Sequence, residues 1–123
     1  MTVYTNFTDL MVNSLTIAGV ALTEELVDSG PITIKMGICT LNKGGVIAAT
    51  LAKPVATTDD FKRLTISSVT TQAHTLAIGS GSFGNGGTGE DVATFNNVKG
   101  ASISLMAYQG QWYITGKEGV VVA

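Results

Sequence analysis

The chain's most suggestive chemical pattern is Gly79-Ser80-Gly81-Ser82-Phe83-Gly84, a G-x-G-x-x-G match that follows a strand-like run. In dinucleotide-binding proteins, such glycines let the backbone approach a pyrophosphate held by the amides of the next helix. Here Asn85-Gly86-Gly87-Thr88-Gly89 follows, and glycine that dense does not propagate a helix. No acidic residue stands on a second strand about 20 residues on, as the fingerprint requires. Residues 79–91 therefore read as a long loop, and no cofactor is expected.

Two adjacent carboxylate pairs, Asp59-Asp60 and Glu90-Asp91, lie in loop-like stretches. Calcium needs six or more oxygens at regular spacing, and no D-x-D-x-D-G run occurs. Turn carboxylates bonded to nearby amides are the ordinary reading, and no metal site is expected. His74 is the single histidine and Cys39 the single cysteine, too few for a four-ligand zinc site. A metal shared by three copies of His74 is the remaining variant. Catalysis through His74 would need a partner, with Asp59 or Asp60 the candidates for a small hydrolase. No G-x-S-x-G elbow supports it, so no enzyme is expected. Cys39 cannot form an internal disulfide and reads as a buried thiol.

Tyr108, Trp112 and Tyr113 cluster near the C-terminus. Exposed, they would make a sugar-stacking platform; buried, Trp112 would anchor a core. Adjacent strand residues face opposite ways, which places one of Trp112 and Tyr113 inside and leaves the other for a partner. A core and subunit interface is the preferred reading.

The elements that would hold these groups are short strands. Leu64 to Val69, Ala73 to Ile78 and Ala101 to Tyr108 alternate, the last joined through Gln109-Gly110 to residues 111–114 as a hairpin. Upstream, Leu15-Thr16-Ile17 and Val20-Ala21-Leu22, flanking Ala18-Gly19, predict two short strands or one bulged strand. Residues 23–28 are the only helix-like piece, stopped by Gly30-Pro31. Residues 32–36 and 38–41 predict strands, Asn42-Lys43-Gly44-Gly45 a hairpin loop, and residues 46–51 the returning strand. Residues 92–95 and 120–122 complete the set. The spacing predicts an all-β domain, an antiparallel β-sandwich or small barrel over residues 14–123, preceded by an extended arm over residues 1–13.

Composition narrows what such a body does. The chain is 45% hydrophobic and only 13% charged, against about 25% charged in typical domains. Mean hydropathy is +0.34. No run approaches the ~18 apolar residues of a spanning helix, and the first residues lack a basic, apolar leader pattern. The excess apolar area is therefore expected to be covered by protein, and no membrane is expected as partner. Net charge is −2 and the seven cations are scattered, so a phosphate-tracking stripe and nucleic-acid binding are not expected.

Beyond Gly30, an ordered set of segments appears. It runs through Gly30-Pro31-Ile32-Thr33-Ile34-Lys35, Leu51-Ala52-Lys53-Pro54, Thr58-Asp59-Asp60 and Leu64-Thr65-Ile66. It continues with Ala73-His74-Thr75, Phe83-Gly84-Asn85-Gly86-Gly87, Ala93-Thr94-Phe95 and residues 105–113. Over about three-quarters of its length the chain thereby resembles small virion proteins of tailed bacteriophages, the capsid decoration or cement proteins. Their pattern usually has glycine after the paired aspartates, where this chain has Phe61, a departure that bears on the turn. The resemblance implies a structural homotrimer bound to the major capsid protein on the virion's capsid surface, made in the host cytoplasm, with no catalytic residues. A tail, fibre or baseplate component with host-glycan binding is the alternative. Val3, Tyr4, Phe7 and Leu10 of the arm, with Tyr108 and Tyr113 of the hairpin, are the interface candidates.

Overall fold

Alternating buried and exposed side chains divide the chain into strands, seen in a computed structural model that describes residues 23–78, 83–84 and 90–123. These are β1 (Thr23–Leu26), β2 (Gly30–Ile32), β3 (Gly37–Leu41), β4 (Ala48–Leu51) and β5 (Arg63–Ser68). They continue as β6 (Thr75–Ile78), β7 (Val92–Phe95), β8 (Ser102–Tyr108), β9 (Gln111–Glu118) and β10 (Val120–Val122). One sheet has the order β9-β8-β5-β3-β1 and the other β10-β7-β6-β4-β2. The fold is an all-β sandwich. Among the described residues neither sheet closes on itself, so the barrel form of the expectation does not hold.

The strand directions are mixed, where antiparallel pairing was expected. β1 with β3, β3 with β5, β2 with β4 and β4 with β6 all run parallel. The cause is the path of the chain. From β1 to β6 successive strands alternate between sheets, so each returns to its own sheet beside its predecessor and in the same direction. Parallel neighbours need a crossover of a dozen or more residues, usually a helix; here a strand of the opposite sheet serves instead. From β7 onward neighbours reverse. β7 pairs antiparallel with β6, β8 with β5, β9 with β8 and β10 with β7.

The inner faces meet in one core. Leu41, Leu64, Ile66, Ile103, Leu105 and Trp112 come from the first sheet, and Ile32, Leu51, Leu76, Ile78, Ala93 and Phe95 from the second. Each fully buried aliphatic or aromatic side chain of this kind contributes about 1.5–3 kcal/mol relative to exposure. The expected hairpin is present. Tyr108 faces Gln111 across Gln109 (φ 47°) and Gly110 (φ 81°), the positive pair that matches strand twist in a two-residue turn.

Three upstream expectations are corrected. Residues 23–28 do not form a helical turn. A helix nucleus that short gains about one hydrogen bond, whereas Thr23 to Leu26 pair along β3 from Ile38 to Leu41. The Glu24 carboxylate then accepts from the amides of Thr33 (2.9 Å) and Ile34 (3.1 Å), which draws residues 33–36 out of the predicted strand. Asn42-Lys43-Gly44-Gly45 is not a hairpin loop, because β3 and β4 belong to different sheets and the segment crosses between them. The arm over residues 1–13 and the strands expected at residues 15–17 and 20–22 lie outside the described residues. Among the described residues no helix is long and apolar enough to cross a membrane.

Candidate functional site

His74 is fully buried between the loops that precede β4 and β6. Its Nδ1 accepts the Ile47 amide at 2.9 Å, so the neutral ring carries its proton on Nε2, which faces Thr70 Oγ1 at 2.8 Å. The backbone continues the knot, since Thr75 donates to the Ile47 carbonyl and Phe95 to the His74 carbonyl. Burial lowers the imidazole pKa by disfavouring the charged form. Both ring nitrogens are thus engaged in holding loops, an arrangement that does structural rather than proton-transfer work.

Asp59 is the centre of a second knot. Its Oδ1 accepts from Lys62 Nζ at 2.7 Å, and its Oδ2 from the Val55 amide at 2.6 Å and Lys35 Nζ at 3.1 Å. The Lys62 ammonium, the Val55 amide and Lys35 together hold this carboxyl well below the usual carboxylate range. Asp60 faces the hairpin turn: it accepts from the Gln109 amide at 2.7 Å and Gln109 Nε2 at 2.6 Å. Those bonds offset the left-handed backbone at Gln109. Neither aspartate is hydrogen-bonded to His74 among the described interactions, so the hydrolase pairing is not assembled. Among the described residues no group of three or more His, Cys, Asp or Glu side chains could hold a metal.

Only Phe83 and Gly84 of the glycine-rich motif are described. Phe83 is a core residue, 1% exposed, and its amide bonds the Glu90 carbonyl at 3.0 Å. Gly84 donates to the Trp112 carbonyl at 2.7 Å and lies under the Tyr113 ring, where a Cβ would meet ring carbons at 2.8–3.0 Å. Trp112 is fully buried and donates its indole proton to the Ala52 carbonyl at 2.9 Å; Tyr113 is half-buried on the opposite face. Cys39 is buried, and its thiol is pushed up to about 11 by burial, with the Glu24 charge adding to it.

Two stretches of exposed sheet surface carry only apolar or neutral side chains. On the outer face of the second sheet, Ala48, Thr75, Thr94 and Val121 form one cross-strand row. Pro31, Thr50, Ala77 and Val92 form the next. This two-row face carries no charged side chain. On the outer face of the first sheet, Thr23, Ile38, Thr65 and Ser104 make a row of the same kind.

Of the six interface candidates, Tyr108 is 42% exposed and Tyr113 half-buried; Val3, Tyr4, Phe7 and Leu10 lie outside the described residues. Tyr108 has an aromatic neighbour outside those six. Phe61 is 70% exposed and its ring centroid lies 5.6 Å from that of Tyr108, tilted by 46°. Its backbone is left-handed, at φ 71°. For an L-residue that conformation costs about 1–2 kcal/mol, and glycine would avoid it. The aromatic residue after Asp59-Asp60, noticed as a departure from a glycine pattern, was the available signal.

Compared with known proteins, the chain matches no family model, and no curated protein is significantly similar to it.

Proposed function

We propose that the protein is a structural virion component, a capsid decoration or cement protein that binds the outer shell as a homotrimer and stabilises it. The observation that carries this reading is the uncharged two-row face of Pro31, Ala48, Thr50, Thr75, Ala77, Val92, Thr94 and Val121. An open sheet face normally turns polar side chains to water. Here small neutral side chains leave a flat surface against which another protein packs closely without desolvating charge.

The size of the face agrees with attachment at several points. Five strands spaced ~4.8 Å apart and about four residues long span roughly 300 Å², well under the ~800 Å² per partner of a standard stable interface. One such contact is weak. Three on a trimer act together, because binding of the first raises the effective concentration of the others. The chain also resembles decoration proteins in the order of its segments, several of which fall on structural knots: Asp59, Asp60, His74 and Trp112.

The test compares shells with and without the protein under heat and osmotic shock. Decorated shells are expected to rupture at higher temperature and larger shock. Identical rupture of bare and decorated shells would reject the cementing role, and label at the tail tip in electron microscopy would move the protein to a tail or fibre.

A further inference from the structure

Phe61 holds a strained backbone conformation for the sake of a ring that lies mostly in solvent. Strain of this kind persists where the side chain has work to do. Its ring lies tilted against Tyr108, which is itself exposed. The surroundings are cationic although the whole chain is acidic. Lys35 and Lys62 bind Asp59, Lys53 reaches Gln111 opposite Tyr108, and Arg63 sits opposite Met106. Four cations thus stand against the two carboxylates Asp59 and Asp60.

The carboxylates and the Gln111 side-chain carbonyl beside the rings are already used. Asp59 is bonded to two lysines and an amide, Asp60 to Gln109, and Gln111 to Lys53. A sugar needs free donors and acceptors next to its stacking ring; an apolar pocket does not. We propose that Phe61 and Tyr108 form the anchor by which this protein enters an apolar pocket rimmed by carboxylates on the shell protein, an inference that rests on the shell-binding reading above. Buried aromatic residues at the centre of a contact carry a disproportionate share of its energy. The flanking cations speed encounter and select an acidic rim.

The experiment measures binding of the full-length protein to purified shells that lack it, with Phe61→Gly and Arg63→Glu variants alongside. Phe61→Gly removes the ring and relieves the backbone, so its unfolding midpoint is expected to equal or exceed that of the wild type. Its affinity for shells is expected to fall at least tenfold. Arg63→Glu is expected to weaken binding, and the wild-type affinity to fall as salt is raised from about 50 to 500 mM. Wild-type binding matched by Phe61→Gly overturns the anchor while leaving shell binding intact. No wild-type binding overturns both. A change in solution mass on Phe61→Gly, or loss of binding to host polysaccharide with shell affinity unchanged, assigns the rings to a second copy or to a glycan and overturns the proposal.

Discussion

The imidazole of His74 accepts a hydrogen bond from the Ile47 amide at Nδ1, 2.9 Å away, and so fixes the entry of the chain into β4 from inside the loop that precedes β6. The bond joins the segments that lead into β4 and β6, two parallel neighbours of the second sheet, and both ends lie at fully buried residues. A buried donor left without a partner costs about 1–3 kcal/mol. His74→Phe keeps most of the volume and removes both nitrogens. It is expected to lower unfolding stability by about that amount, read as a lower urea midpoint at pH 8. The wild type should also lose stability in mild acid. Burial lowers the folded-state pKa of His74, so the unfolded chain takes up its proton first as pH falls. This contribution is complete above about pH 6.5 and declines below it. His74→Phe should show a flatter midpoint between pH 7 and 5; an unchanged slope would contradict the linkage.

Asp59 predicts a separate, more acidic transition. Its folded carboxyl titrates below its unfolded value of about 3.9, so its stabilising effect is present above that pH and is lost as pH falls further. Asp59→Asn should lower the midpoint at neutral pH and flatten the loss of stability below pH 4. It also leaves Lys35 and Lys62 facing each other without their shared anion. Added salt should therefore recover part of the variant's deficit, as measured by thermal unfolding at 0.05 and 0.5 M salt.

Cys39 should be nearly inert in the folded protein. With its thiol pushed up to about 11, roughly one molecule in a thousand carries thiolate at pH 8, and the group is buried besides. A chromogenic disulfide reagent at pH 8 should label the native protein at the rate of unfolding and the urea-denatured protein within seconds to minutes. Rapid native labelling would place the thiol at the surface.

Gly84 and Tyr113 should be energetically coupled. An alanine Cβ at position 84 would lie 2.8 Å from the Tyr113 ring, too close for both to stay in place. Gly84→Ala is expected to lower the unfolding midpoint and increase exposure of Tyr113, followed by solvent perturbation of its absorbance. In the Tyr113→Ala background the same glycine substitution should cost much less. A double-mutant cycle with an interaction energy of about 0.5 kcal/mol or more would establish the coupling, and strict additivity would exclude it.

How much of this was legible beforehand follows the range of the forces involved. Residues 101–114 announced a hairpin because alternation and a two-residue turn are local signals, and Gln109-Gly110 forms that turn with both φ angles positive. The short strands at 63–68, 75–78, 92–95 and 120–122 were readable for the same reason. Thr23 to Leu26 misled because four residues with two glutamates carry no local preference strong enough to resist an available sheet edge. The candidate surface was half legible. Tyr108 and Tyr113 were recognised as aromatic, but nothing local says that Phe61 would lie against Tyr108.

From the sequence alone came the all-β character, the strand and turn positions in the C-terminal half, and the shortage of charge. Those properties depend on side-chain period and composition, which the chain carries at every position. Tertiary structure decided which strands became neighbours, that successive strands would alternate between two sheets and so run parallel, and which polar groups closed into the His74 and Asp59 knots. Such pairings join residues far apart in the chain, and their free energy exists only once both sheets have formed around a common core.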